Sequence, residues 1–336
     1  MRICPDAVAA AGDQAALCRI VRITVESGFS SNAASDRRVR DVLLSHLSHP
    51  AVVAAAHALQ RAGRSGTITP GQQQVLTDEL QQSAAWAAHS AERTSFDDAS
   101  WNLVDLASPQ SHLRGSVARA LAVIPARAER IRAGSEVTFW RDTDRVVFWE
   151  AVDLLDGAWP QMLAELREMV CQVVLLRGDA IEGFTDFTVH GAIMINQARL
   201  VTGSTGLSGP VRLAEALVHE GTHTRCNAAQ LVRPFLCPAN GDGELVTTPL
   251  RADPRPLAGL FQQLVVLVRS ALLYRRLPIS EATGVAAHRA RLDKLVSQAH
   301  QGAETLARHR EVLTSHGQEV FAEAMALLEN ELAGAR

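Results

Sequence analysis

The feature that most limits how this chain can fold is the segment HEGTH at residues 219–223. The residues before it are apolar and favour a buried helix: Leu213, Ala214, Ala216, Leu217 and Val218. Burying ionisable groups without partners costs several kcal/mol. In an α-helix, His219 and His223 lie on one face, so their rings can converge on one ion, while Glu220 points about 100° away from His219. The segment therefore predicts a divalent-metal pair on a buried helix, with a satisfied structural cluster as the alternative.

The spacing of apolar residues predicts a mainly α fold with a small β element (α+β). The N-terminal third predicts helices separated by short polar breaks. Two β-prone runs around a polar turn predict a hairpin over residues 137–149, and residues 184–195 predict a strand in which Gly191 marks a bulge or a close backbone approach. Further helices are predicted over residues 211–231, which carry the metal pair, and over residues 257–274. The β element is therefore small, and the metal pair lies on a helix.

Length and charge narrow the classes of protein. A chain of 336 residues can form two domains or one large domain. We predict a helical N-terminal region over residues 1–135 and a metal-binding catalytic region over residues 136–336, or one domain that contains both. The net charge of -3 gives no reason to expect nucleic acid or an anionic membrane as a partner.

Cysteine usage and the N-terminal sequence predict the compartment. Five cysteines, an odd number without a CxxC pair, favour a reducing environment. The N-terminus lacks a sustained apolar run, and no apolar segment reaches the roughly 18 residues of a membrane span. We predict a cytoplasmic protein in which Cys226 is a buried filler and four C-terminal histidines are solvated: His288, His300, His309 and His316.

A helix with two histidines is compatible with two kinds of chemistry. With Zn²⁺, a third protein ligand and Glu220 as general base, it would be a metallopeptidase. With Fe²⁺ and one further ligand, it would be an oxygenase. Peptidases of the thermolysin kind take a glutamate from a following helix. Glu244 stands 21 residues after His223, but the stretch 238–244 is rich in turn residues and does not predict that helix.

Two stretches carry a family resemblance: LAEALVHEGTH at residues 213–223 and PLRADPRPLAGL at residues 249–260. Together they resemble the HExxH-type peptide β-hydroxylases, which are iron(II)/2-oxoglutarate enzymes associated with ribosomally made peptide natural products. The resemblance covers about residues 180–330 and does not extend to the N-terminal half. It implies hydroxylation of a C–H bond, at a side-chain β-carbon of a peptide or amino-acid substrate, with Fe(II) and 2-oxoglutarate as cofactors.

The second stretch is also chemically suited to hold the cofactor. The distal carboxylate of 2-oxoglutarate needs a cation, and arginine offers a planar two-donor fork. Arg251 and Arg255 lie on either side of Asp253, and Pro256 ties Arg255 to the start of the next predicted helix. We predict that one of the two arginines, preferably Arg255, binds the cofactor. An arginine–aspartate cluster on the surface is the alternative.

The third metal ligand is left open by the sequence. The resemblance implies a histidine where this chain has Gln262, which we predict as a weaker oxygen ligand beside His219 and His223. The alternative ligands are Glu244, Asp253 and His190. In an oxygenase Glu220 would orient a ligand or water, whereas in a zinc hydrolase it would be the base. The departure at Gln262 is also the one argument for a metal-binding module without activity.

Overall fold

The structure is a computed structural model that describes residues 1–29, 34–65, 69–93, 101–104, 110–124, 135–237, 245–248, 251–278 and 284–332. The chain is mainly helical with a small sheet element, as predicted. It divides into two compact units. The first unit comprises Met1–Asp13, Asp142–Glu168 and Ala198–Arg336, and the second comprises Gln14–Arg141 and Met169–Gln197. The predicted division after residue 135 stays a prediction.

Eleven α-helices lie within the described ranges. They are α1 (Ala7–Gly28), α2 (Ala34–Ser45), α3 (Pro50–Arg64), α4 (Pro70–Arg93), α5 (Ser111–Ala122), α6 (Asp142–Ala158), α7 (Pro160–Met169), α8 (Gly209–Val232), α9 (Leu257–Arg276), α10 (Val285–Ala307) and α11 (Ser315–Asn330). The strands in the same ranges are β1 (Asn102–Leu103), β2 (Glu136–Thr138), β3 (Gln172–Arg177), β4 (Gly183–Thr185), β5 (Ala192–Asn196), β6 (Leu245–Thr248) and β7 (Arg251–Pro256).

The second unit contains a mixed sheet with the order β1-β3-β5-β4, and β2 also pairs with β3. β3 and β5 are parallel and buried throughout, apart from the last residue of β3, which suits their nearly continuous apolar sequences. The strand predicted over residues 184–195 is interrupted by a 3₁₀ turn, Phe187–Val189. Gly191 has φ +93°, and an added Cβ would lie 3.1 Å from the Cys171 sulfur. The predicted close backbone approach at Gly191 is therefore confirmed.

The hairpin predicted over residues 137–149 is wrong in its second half. β2 pairs antiparallel with β3, but the β-prone residues that follow belong to α6. Asp142 and Asp144 stand in the first turn of this helix, where the helix dipole favours acidic side chains. Four apolar residues of α6 are buried at helical spacing: Phe148, Ala151, Val152 and Leu155. Burial along one helical face therefore outweighs the β-propensity of these residues.

The first unit is built around α8 and α9, whose predicted positions are confirmed. α8 begins after Ser208 with Pro210 in its first turn, and it packs against α6 and α9. Within the described part of the chain, α9 is the one helix long and apolar enough to cross a membrane, and 78% of its most apolar window is buried inside the protein. Its apolar character therefore fits a core helix. The hairpin of β6 and β7 leads directly into α9.

Candidate metal centre

His219 and His223 face each other along α8 at a separation that suits one metal ion. Their ring centres are 5.2 Å apart, with 64° between the ring planes, and both residues are partly exposed. Metal–nitrogen bonds of about 2.0 Å put an ion about 3.2 Å from each ring centre, so rings sharing an ion at about 90–109° have centres roughly 4.6–5.2 Å apart. The ring separation of the pair is therefore compatible with a shared divalent ion.

Each ring of this pair has a nitrogen that is available to bind a metal ion. Among the residues that the structure describes, no group hydrogen-bonds to either ring nitrogen of His219. His223 Nδ1 lies 3.0 Å from Gln262 Oε1. An amide oxygen only accepts, so with this amide orientation Nδ1 carries the proton and Nε2 keeps its lone pair. Each imidazole therefore has a nitrogen that can bind an ion.

Both imidazoles are held in the neutral form that metals require. Desolvation, with the charge of His223 as the next cause, lowers the pKa of His219 to about 3. Desolvation also lowers the pKa of His223, although its hydrogen bond to Gln262 acts in the opposite direction. Protons therefore compete weakly with a metal ion at neutral pH.

Glu220 lies on a different side of α8 from the two histidines. It is 5% exposed, whereas His219 and His223 are both partly exposed. This follows from the roughly 100° step between successive residues of a helix. A general base must reach a metal-bound water that also meets substrate. The burial of Glu220 is better suited to supporting the helix or orienting a neighbour than to contacting a substrate.

Four polar residues at four-residue spacing form a stripe along α8, here called the α8 stripe: Glu215, His219, His223 and Asn227. At its N-terminal end, Glu215 accepts hydrogen bonds from Tyr274 Oη at 2.7 Å and from Arg291 Nε at 3.1 and 3.2 Å. Burial raises the pKa of Glu215, but Arg291, Tyr274 and Arg199 together outweigh burial, and the net pKa is lowered. Sequence reasoning missed Glu215 and Asn227, although the repeat of four was a visible signal.

The structure places the predicted third ligands differently. Gln262 contacts the histidine pair through a hydrogen bond with His223. His190 belongs to the second unit, where it is fully buried with its Nε2 2.9 Å from Gln14 Oε1. Glu244 and the side chain of Asp253 lie outside the described residues. Within the described residues, no group of three or more histidine, cysteine, aspartate or glutamate side chains could hold a metal ion.

The predicted cofactor arginines lie on the hairpin before α9. Arg255 is exposed, and its backbone pairs with Val246 of β6. Arg251 lies at the start of β7, and its side chain is outside the described part. The hairpin joins α9 one turn before Gln262, the residue that contacts His223. The two arginines are therefore close in sequence to Gln262, at 11 and 7 residues before it, and Arg255 is exposed.

Cys226 and the C-terminal histidines lie in the same unit as the metal pair. Cys226 is fully buried, as predicted, and burial raises the pKa of its thiol to about 12. The prediction that the C-terminal histidines are solvated is wrong for His288 and His316, which are 1% and 6% exposed. His288 Nε2 lies 2.7 Å from the carbonyl oxygen of Tyr274, a partner that sequence spacing does not reveal.

No family model and no curated protein sequence matches this chain. The resemblance to the HExxH-type peptide β-hydroxylases therefore stays a prediction from two stretches of sequence.

Proposed function

We propose that this protein is an Fe(II)/2-oxoglutarate-dependent oxygenase that hydroxylates a C–H bond of a peptide or amino-acid substrate, at a side-chain β-carbon, in natural-product biosynthesis. The reaction consumes the substrate, O₂ and 2-oxoglutarate, and it yields the hydroxylated substrate, succinate and CO₂. The bound iron and 2-oxoglutarate supply the oxidising power for this step. The protein would supply two neutral ligands and an anion anchor.

The observation that carries this proposal is the contrast between an accessible histidine pair and a buried Glu220. In a zinc hydrolase the glutamate of the motif acts on a metal-bound water and must reach the substrate cleft. In an oxygenase it needs only to support the ligands. A buried Glu220 beside partly exposed imidazoles therefore favours the oxygenase, in which His219 and His223 hold iron.

The cofactor anchor remains Arg251 or Arg255. A bidentate contact from arginine to the distal carboxylate fits the shape of 2-oxoglutarate. The hairpin that carries both residues continues into α9 and reaches Gln262 within two turns. An exposed Arg255 can meet a cofactor that arrives from solvent. We therefore retain these two arginines as the proposed cofactor-binding residues.

The second candidate function is a zinc-dependent hydrolase with Glu220 as general base. It is favoured by the HExxH spacing and by a pair separation that also suits tetrahedral zinc. Such an enzyme would need Glu220 to turn out of its buried position when substrate binds. The oxygenase interpretation does not require this movement of Glu220.

Anaerobically purified protein, reconstituted with one metal at a time, tests the proposal. We expect oxygen-dependent succinate release with Fe(II) and 2-oxoglutarate, and none with zinc. The metal-free protein and the His223→Ala variant are the controls for background decarboxylation. Peptide cleavage by the zinc form, without succinate release from the iron form, would overturn the oxygenase proposal.

Glu220→Gln separates the two mechanisms in one variant. In an oxygenase the amide keeps its place in α8, so turnover and metal content stay measurable. In a hydrolase the loss of the base would lower kcat by roughly 10²–10⁴-fold. Glu304→Gln, an exposed glutamate on α10, is the matched control. Loss of turnover with the metal retained would favour the hydrolase.

A further inference from the structure

Gln262 uses both ends of its amide, and each end meets a residue of the α8 stripe. Its Oε1 is 3.0 Å from His223 Nδ1, and its Nε2 donates to Asn227 Oδ1 at 3.1 Å. Asn227 Oδ1 also accepts from Gln230 Nε2 at 3.5 Å. The result is a directed chain of amides that runs along α8, crosses to α9 and ends on an imidazole.

In the structure the oxygen of Asn227 faces the NH₂ groups of both Gln230 and Gln262. With Asn227 in this orientation, turning over the Gln262 amide alone would set its oxygen against the oxygen of Asn227. With Oε1 facing His223, Nδ1 must carry the proton, and the lone pair is on Nε2.

We propose that Gln262 is a positioning residue that holds His223 in the Nδ1–H tautomer, so that Nε2 binds the metal, and that Gln262 is not itself a ligand. Nδ1 and Nε2 point to different sides of the ring. The amide oxygen next to Nδ1 is then roughly 7 Å from an ion on Nε2, whereas a ligand oxygen needs about 2.0–2.2 Å. The inference rests on the metal pair of the proposed function but not on its oxygen chemistry.

Gln262 stands where the family resemblance implies a histidine. If Gln262 were a metal ligand, this replacement would weaken the site. As the acceptor for the Nδ1–H of His223, Gln262 instead acts as outer partners do in many metal sites: it selects the tautomer, fixes the ring and makes the ligating nitrogen more basic. The third ligand must then come from another residue or from solvent, cofactor or substrate.

Nitrogen-15 NMR of histidine-labelled protein tests the tautomer directly, with zinc as a diamagnetic probe. We expect His223 Nδ1 to keep its proton both before and after zinc is added, while the Nε2 resonance shifts on coordination. His219, which has no such acceptor among the described residues, should sample both tautomers in the metal-free protein. Zinc coordination at His223 Nδ1, with loss of its proton, would overturn the proposal.

Failure of the proposed function gives a different pattern. Protein that binds zinc through His223 Nε2 but never turns over 2-oxoglutarate would leave the role of Gln262 intact and refute the oxygenase. Protein in which zinc shifts neither ring would refute the metal pair and the role of Gln262 together.

Variants along the amide chain provide the second measurement, by zinc competition with a chelating dye. Gln262→Leu should weaken zinc binding by roughly 10–100-fold and bring the Nε2–H tautomer into the metal-free spectrum. Gln262→Glu keeps an acceptor at this position and should rescue both readouts. Gln263→Leu, at the next position of α9 and outside the amide chain, is the matched control. Wild-type affinity and an unchanged tautomer in Gln262→Leu would contradict the proposal.

Discussion

α8 and α9 contribute to two polar clusters of opposite construction, both within the first unit. One is an ionic network in which Arg225 and Arg269 approach Glu165. Arg269 Nη1 lies 2.5 Å from Glu165 Oε1, its Nε donates to the carbonyl oxygen of Ile3 at 2.9 Å, and Arg225 also pairs with Asp13. Arg225, Arg269 and Glu165 are each no more than 2% exposed.

The other cluster is the histidine pair, only two residues before Arg225 in the sequence. His219 and His223 are partly exposed, and each keeps a nitrogen that nothing in the described part of the chain occupies. Charged groups in a core are therefore not by themselves a sign of function. What separates the two clusters is that the charges of the network are paired with one another and nearly closed to solvent, whereas the histidines have free lone pairs that solvent can reach.

Substituting either histidine should have the largest effect, and this effect should be a loss of metal binding. His219→Ala and His223→Ala each remove a direct ligand, so zinc affinity should fall by more than the roughly 10–100-fold that losing an outer partner costs. The stability of the metal-free protein should change by about 1 kcal/mol or less. Dye competition and urea unfolding measure the two effects, with His300→Ala on α10 as the control. Retained zinc in either variant would contradict the assignment.

Arg269→Met should give the reverse result. Removing one partner from a buried ion pair leaves Glu165 partly uncompensated, which costs about 3–5 kcal/mol of unfolding free energy. Zinc affinity of the folded protein should be largely unchanged, because Arg269 does not contact the pair. Arg2→Met tests an exposed pair with Glu323 and should cost less than about 1 kcal/mol. A large loss of zinc affinity in Arg269→Met with full stability would erase the distinction between the two clusters.

The cofactor arginines should show a smaller effect that separates anion binding from metal binding. Losing a two-pronged contact to a carboxylate costs roughly 2–4 kcal/mol, or about 30–1000-fold in affinity. We expect Arg255→Ala or Arg251→Ala to weaken 2-oxoglutarate binding by that factor while iron is retained. Anaerobic titration, followed by the absorption of the iron–keto-acid complex, is the measurement. Unchanged binding in both variants, as in the Arg289→Ala control, would make the hairpin purely structural.

At a buried histidine outside the metal pair, acid should reveal the smallest effect per pH unit. Burial lowers the pKa of His190 from 6.5 to about 4. As pH falls through this window, the unfolded chain gains a proton that the folded chain does not, so stability falls with acid by up to about 1.4 kcal/mol per pH unit. His190→Gln should remove this contribution from urea unfolding measured between pH 6.5 and 4. An unchanged slope would mean that His190 is protonated in the folded protein.

Local patterns account for the parts of the fold that were predicted from sequence. α8 was predicted because an apolar face, a capping segment and Pro210 in the first turn all lie within a few residues, and α9 was predicted from its long apolar run. The same reasoning failed over residues 145–149, where β-prone side chains follow a helix start. It also failed for His288, whose polar neighbours in sequence conceal a buried contact with Tyr274.

The candidate site divides in the same way. The four-residue spacing of His219 and His223 is a property of the helix, so the sequence alone determined that the two rings share a face. Only the tertiary structure decided that Gln262, 39 residues after His223, lies against Nδ1, and that Glu220 is buried while its neighbours are partly exposed. The spacing of residues along one helix determines the direction in which each side chain points. Contacts and solvent access depend on how α9 packs against α8, and that packing is determined by side chains that are distant in sequence.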